Sequence, residues 1–527
     1  MEKQPNLPKS GQVIFKEYHQ HQIQLLPPSL EELIPEKHLV RIINQLIDSL
    51  AIKALERPYR GGGSTSYHPK MMLKVIIYAY CTKVYSCRQI ADSLQTNIHF
   101  MWLSASQRPT FKTINNFRSV IMKDLIEEVF GQVLTFLLED GYIKLENYFV
   151  DGTKLRADAN KNSHLWAANT KRYKAGVSKR IKELLTEIDQ LNEQEEILYG
   201  DKHLESYGED SELTSEQIQE KAKAINEKIN HRQAEKKITT QQAGKGKSQA
   251  RQLAKDGAKL ATYEQQEKLL NGRNSYSKTD PDATFMRMKD GQLLPAYNII
   301  EGSENQFIVN YTIHQTLGET NEFVPHIKEL ARFTEQRPKN VIGDAAYGSE
   351  ENYTYLQEHG LGNYLKYSGI YFEKSAKSKE NPFHKDNFAY DPHQDQFTCP
   401  ANQAVEFEYE TRKKTKSGYQ RKIRVYECSS CRTCPLAEAC KRGKNNRQIK
   451  FSPAFEGYKK QVKENLSSEL GMSLSKQRGV CAETPFGDIK HNMGYRRFRL
   501  RGLEKVHLEW GLVSIAHNLR KVSKLAA

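Results

Sequence analysis

No segment of this 527-residue chain approaches the roughly 20 consecutive apolar residues that a membrane span needs. The opening stretch MEKQPNLPKSGQ has no apolar core behind its charged residues, so it does not read as a secretory signal. Cysteine is sparse: five of the eight fall at 399–440, a local site rather than a disulfide framework spread along a secreted chain. A reducing cytosol is the compartment this favours. A nucleotide phosphate loop is also missing. GKGKS at 244–248 lacks the upstream glycine, because position 241 is Gln241, and no strand precedes it, so a flexible basic turn is expected there. Acidic residues are in the minority, 64 against 79 Lys and Arg, and the net charge of +15 favours a polyanionic partner. The length is too great for one ordinary core and suggests two to four domains.

Positions 38–140 carry apolar residues at helical spacing, in HLVRIINQLIDSLAIKAL and PKMMLKVIIYAYCTKVY. A short helix at Cys87–Leu94, a polar break at Gln95–Asn97 and a further apolar stretch resemble a helix-turn-helix, with Arg108, Lys112 and Arg118 around its second part. A small helical bundle has the same pattern. Positions 171–272 change character. Val177, Ile181, Leu184, Ile188 and Leu191, and then Ile218, Ala222, Ile225 and Ile229, step by three and four among Lys, Glu and Gln. With Gly200 and Gly208 between the halves, the simplest reading is an inserted helical hairpin, a solvated coiled-coil arm.

Chemistry concentrates in three acidic stretches. ENYFVDGTKLRA places Asp151 at the end of a short apolar run, and VIGDAAYGSEENY gives Asp344 the same layout. Two carboxylates at strand ends are harder to dismiss as caps than one. QLLPAYNIIEGSENQFIVNYTIHQ, at 292–315, reads as two strands joined by a polar turn carrying Gly302, TNEFVPHIKELARFTEQ as helix, and the whole as α/β with mixed strands. The third acid, Glu483, opens a helical pattern that includes Pro485, comfortable only in a first turn, so Glu483 starts the helix or the helix kinks. Gly487 and Lys490 follow on its face. Beyond lies a basic track, Lys490, Arg496, Arg497, Arg499 and Arg501, with Tyr495 and Phe498 interleaved, as a phosphate backbone would require. Asp158, Glu350 and Glu351 read as surface or helix-start acids. Trp166 either stacks on a base or packs half-buried.

These three motifs resemble those of bacterial insertion-sequence DDE transposases, in a branch with an InsH-like helical N-terminal domain. The resemblance covers nearly the whole chain. It implies a mixed α/β fold: a ribonuclease H-like core (141–170 and 273–370, then 456–527) interrupted by the helical arm (171–272) and a Cys-rich insertion (371–455), and preceded by a helical DNA-binding domain (1–140). It implies that Asp151, Asp344 and Glu483 are catalytic and hold Mg²⁺ or Mn²⁺, as two ions about 3.5–4 Å apart. The implied partners are double-stranded transposon ends and target DNA, engaged by a homodimer or larger synaptic complex, with Lys490 on a phosphate. In the related Tyr–Arg–Glu–Lys signature, Glu483 and Lys490 fit. Arg478 lies one residue too far from the glutamate, and the tyrosine is missing. A DNA-binding descendant without catalysis, or a nuclease on the same fold, would share these motifs.

Cys428, Cys431, Cys434 and Cys440, with Cys399 upstream, have close metal-site spacing. Four of the five suffice for tetrahedral zinc, which is favoured over plain buried thiols, with an iron–sulfur cluster the third reading.

Overall fold

The computed structural model describes residues 29–50, 66–199, 213–373, 380–441 and 443–526. The opening MEKQPNLPKSGQ and the Gly200–Gly208 break lie outside them. Among the described residues six α-helices lead: α1 (Leu39–Ser49), α2 (Pro69–Cys81), α3 (Cys87–Thr96), α4 (Ile98–Leu103), α5 (Phe111–Asn116) and α6 (Ile126–Glu139). Asn97 ends α3 and caps α4 with its side chain, which is why the polar break falls there. Of the basic residues read around this motif, Arg108 and Lys112 are exposed. Arg118 is instead buried, with its guanidinium on the Tyr80 hydroxyl and the Tyr85 carbonyl at 3.4 and 2.8 Å. Closing the core between α2 and α5 removes it from any DNA.

The chain is mixed α/β. Its main sheet contains β1 (Asn147–Arg156), β4 (Thr284–Arg287), β5 (Leu293–Glu304), β6 (Phe307–His314), β7 (Asn340–Gly348) and β8 (Gly362–Tyr367). The small strands β2 (His164–Trp166) and β3 (Ser275–Ser277) pair apart from it. β5 runs antiparallel to β1 on one side and to β6 and β4 on the other, while β1, β7 and β8 are parallel. β5 is buried on both faces, although Asn298 and Glu301 interrupt its apolar residues. Its turn into β6 is not at Gly302. Asn305 and Gln306, both with positive φ (51° and 66°), make the two-residue turn, while Gly302 stays within the strand because the Tyr148 ring lies where a Cβ would be. α10 (Phe323–Glu329) and α11 (Glu350–Glu358) connect the strands that follow.

Between β2 and β3 run α7 (Ala167–Tyr199), α8 (Ser215–Ala234) and α9 (Thr240–Leu270). Three helices stand where a two-helix hairpin is expected. Val177, Ile181, Leu185 and Ile188 pack with Ile218, Ala222, Ile225, Leu253 and Leu260. GKGKS is helical, not a turn. A Thr239–Gln242 capping box starts α9 before it, and Gly246 lets Ile229 approach to within 2.7 Å of where a Cβ would stand.

After the short α12 (Ile370–Glu373), a five-stranded antiparallel sheet holds β9 (Ala389–Asp391), β10 (Gln396–Thr398), β11 (Ala404–Lys414), β12 (Gln420–Glu427) and β13 (Gln448–Phe451), with α13 (Ala437–Cys440) among them. α14 (Pro453–Ser467) and α15 (Glu469–Arg478) return the chain to the main sheet. From there a π-helical turn (Gly479–Glu483), α16 (Thr484–Gly487) and a second π-helical turn (Asp488–Asn492) continue without leaving helical geometry. α17 (Leu503–Ala526) ends the fold. Its Val506, Trp510 and Val513 are completely buried, and it packs between α2 and β6, so the N-terminal helices share one continuous core with the sheet.

Candidate active site

β1 and β7 are hydrogen-bonded neighbours only as far as Phe149 and Ile342. Two residues further along each strand stand Asp151 and Asp344, on the face that Phe149 and Ile342 define. Neither acid ends its strand, as the apolar runs suggest; both strands continue, but part company. β1 stays paired to β5 alone. β7 loses β8 after Gly343 and regains it only at Gly348, so Asp344 begins a bulge. Bulges re-aim side chains next to functional sites. Here the bulge opens a notch at the sheet's centre. Asp344 Oδ1 accepts from the Ala346 amide at 2.9 Å. Burial pushes the Asp151 carboxyl up to about 6, with the Asp344 and Glu319 charges adding to it and the Gly152 amide and Arg478 opposing.

The same face receives the third acid. Leu474, Cys481 and Ala482 pack on Phe149, Ile342 and Tyr364, and the Cys481 carbonyl accepts from Ser303 Oγ at 2.8 Å. Glu483 is the next residue. It is exposed and paired with Arg478 at 3.1 Å. The π-helical turn absorbs one extra residue between them, so the arginine that stands one position too far in sequence still meets the glutamate. Pro485 follows in the next turn, where its missing N–H breaks no ladder bond, and the helix neither starts at Glu483 nor stops there.

Lys490 Nζ reaches across to β1, bonding Thr153 Oγ1 and the Lys154 carbonyl, the latter at 3.1 Å. Burial lowers its ammonium pKa to about 8, with Lys289 adding to the shift and Glu301 and Asp151 opposing it. Arg496 and Arg499 are exposed. Arg497 and Arg501 are both engaged by Asp158, which therefore orders half of the arginine track instead of standing idle. Tyr495 and Phe498 are buried against Trp510, out of reach of any base. Trp166 is half-buried beside His164 and Phe285. Glu350, read as a surface or helix-start acid, starts α11 but is buried under Arg421 at 3.1 Å and Ser452 at 2.6 Å.

Sequence reasoning missed two acids here. Glu301 lies directly across the β1–β5 ladder from Asp151. It is buried, with one oxygen on the Trp510 indole at 2.9 Å and the other without a partner. Glu319 projects from the loop after β6, and its carboxylate occupies the space over the Gly152 Cα. No motif spacing marks either residue. A charged residue inside an otherwise apolar strand was the available signal for Glu301; Glu319 had none. Among the described residues, no three His, Cys, Asp or Glu side chains are already closed into a metal-holding group. The cysteines nonetheless meet: Cys399, Cys428, Cys431, Cys434 and Cys440 line one cavity of about 20 Å³, with the Arg447 amide on Cys431 Sγ at 3.3 Å. None of them is in a disulfide.

The sheet thus parts at two aspartates, on the face where the turn before Glu483 packs, and comparison with known families gives two matches. Residues 28–120 match a transposase domain family (DUF772) and residues 398–523 match the transposase DDE domain family. Both matched families are transposase families, and the two matches support an insertion-sequence DDE transposase. Glu483 lies inside the second match, and Asp151 and Asp344 lie before it. Neither the curated proteins nor the solved structures gave a match. No described helix is long and apolar enough to cross a membrane.

Proposed function

We propose that the chain cleaves the ends of a DNA element and joins them to target DNA, using Asp151, Asp344 and Glu483. The observation that carries this reading is the parting of β1 and β7 at Asp151 and Asp344, over the face where the Glu483 turn packs. The order β6–β5–β1–β7–β8, with three antiparallel-linked strands followed by two parallel ones, suits a ribonuclease H-like core with a helical and a Cys-rich insertion.

The donor set suits Mg²⁺ or Mn²⁺. The oxygens are hard carboxylates, and among the described residues neither aspartate is in a salt bridge with a lysine or arginine that would compete. Two such ions would lower the pKa of a water or 3′-hydroxyl and stabilise the leaving oxygen. The protein's own groups do the remainder. Asp151 and Asp344 would hold such ions from rigid strands, and Glu483 would add the third carboxylate, leaving the Arg478 guanidinium that now pairs with it for the DNA backbone. Lys490, pinned to β1, keeps positive charge next to Asp151. The cysteine cavity suits a structural Zn²⁺, which would brace the second sheet. Two DNA ends require two copies of the site, hence a homodimer or larger assembly.

The test is purified full-length protein with the flanking ends of its own gene and Mg²⁺. We expect cleavage and strand transfer, with Asp344→Asn reduced to background while still binding the ends. An Asp344→Asn variant that cleaves like its parent would sink the three-acid mechanism. A parent that binds ends and never nicks them in Mg²⁺ or Mn²⁺ is a DNA-binding descendant, and cleavage without joining is a nuclease.

A further inference from the structure

Thr411–Lys422 reads TRKKTKSGYQRK, six basic residues and no acid, inside the Cys-rich segment. These residues form the outer half of the β11–β12 hairpin. β10 pairs with β11 only at Ala404 and Val405, and β13 with β12 only from Arg424 to Glu427. Beyond those positions the described strands form a ribbon two strands wide. Such a ribbon is marginal by itself, but this one is pinned. Thr415 Oγ1 and Ser417 Oγ donate to Glu351 at 3.3 and 2.6 Å, and Tyr419 Oη and Arg421 Nε donate to Glu350 at 3.3 and 3.1 Å. Both acids open α11, the helix that follows the strand carrying Asp344. Residues directly opposite on an antiparallel pair share a face. Arg421, opposite Lys413, therefore belongs to the docked face, and Arg412, Lys414, Gln420 and Lys422 make the other. All four are exposed, and Arg412 stands directly across from Lys422. Glu410, towards the base of this face, stands across from Arg424, which pairs with Asp395. Among the described residues Arg412, Lys414, Lys422 and the turn residue Lys416 have no carboxylate partner. Like charges directly across a ladder cost stability. A row of phosphates removes that cost, and a two-stranded ribbon is narrow enough for the major groove of a duplex.

We propose that the outer face of the β11–β12 ribbon, Arg412, Lys414 and Lys422 with Lys416 at its turn, docks on the phosphate backbone of duplex DNA; the choice of DNA rests on the function proposed above. The Cys-rich segment then carries a nucleic-acid surface of its own, separate from the arginine track. Because Glu350 and Glu351 fix its inner face to the start of α11, the ribbon holds a bound duplex in one orientation relative to the strand that carries Asp344.

The experiment measures binding of a labelled DNA duplex over a series of salt concentrations, for the full-length parent and for the triple variant Arg412→Gln, Lys414→Gln, Lys422→Gln. Lysine acetylation of the parent, with and without the duplex, is mapped by mass spectrometry alongside. Each lost phosphate contact takes about 0.9 from the slope of log affinity against log salt, so the triple variant should lie about 2.7 below the parent. The duplex should shield Lys414, Lys416 and Lys422 of the parent from acetylation. The variant should melt no lower than the parent, since it removes repulsion between the strands; should it not fold, the acetylation map of the parent decides. Equal slopes overturn the proposal. So does a lower slope without shielding, because the charge then acts only at a distance. In both cases duplex binding and cleavage by the parent leave the proposed function standing. Shielding by duplex RNA but not by duplex DNA overturns the choice of partner. A parent that binds no duplex DNA fails the proposed function, and the ribbon's role with it.

Discussion

At the scale of single residues, the acids of this chain divide by what surrounds them. Asp158 and Glu350 have guanidinium partners and serve the architecture. Asp151, Asp344 and Glu319 have none among the described residues. Asp488 is a structural acid of a different kind. It accepts from His517 Nδ1 and from Asn492 Nδ2, both at 2.9 Å, and the His517 bond above all holds its carboxyl well below the usual carboxylate range. A carboxyl depressed on folding stabilises above its unfolded pKa of about 4, and that contribution is lost as the pH falls through the lower folded value. Asp488→Asn should therefore cost stability at neutral pH, with the deficit shrinking progressively below pH about 4 in urea titrations. A deficit independent of pH would reject this account. Asp151 and Asp344 could be found from sequence because each follows an apolar run. Glu319 could not, because LGETNEF looks like any polar loop and only the fold sets it over Gly152.

At the scale of elements, the strands are longer and more exactly anchored than their apolar runs suggest. β1 begins where the buried Glu304 carboxylate accepts four consecutive amides, Lys144, Leu145, Glu146 and Asn147, at 2.6–2.9 Å. That clamp fixes the register that brings Asp151 level with Asp344. Glu304→Ala should destabilise the protein by about 3–5 kcal/mol, as buried amides lose a charged acceptor together. Chemical denaturation measures it, and a loss under 1 kcal/mol would show that water replaces the clamp. The helix bearing Glu483 shows why motif spacing alone misleads. The Arg478 offset looks like a departure from the family signature, yet across the π-helical turn Arg478 still pairs with Glu483. Helical period is legible in sequence; a single widened turn is a product of packing.

At the scale of the whole molecule, the +15 charge is distributed unevenly in its availability. All four arginines of the track face solvent, but Asp158 pairs with Arg497 and Arg501, whereas Arg496 and Arg499 have no carboxylate partner among the described residues. Each phosphate contact adds about 0.9 to the slope of log affinity against log salt. Replacing Arg496 and Arg499 by alanine should therefore lower that slope by about 1.8 on duplex DNA. Neutralising Arg497 and Arg501 should change it less and lower the melting temperature by freeing Asp158. Equal slopes for the two double variants would remove the distinction.

The sequence by itself determined the mixed α/β class, the helical and cysteine-rich segments and two of the strand acids, because periodicity and local clustering are properties of neighbouring residues. It also carried the third acid and its basic track in one legible stretch. Only the tertiary structure decided that β1 and β7 separate at the aspartates, that Arg118, Tyr495 and Phe498 are buried, and that Glu319 lies over Gly152. Each of these depends on contacts between residues far apart in the chain, and burial, bulges and close backbone approach leave no period to read.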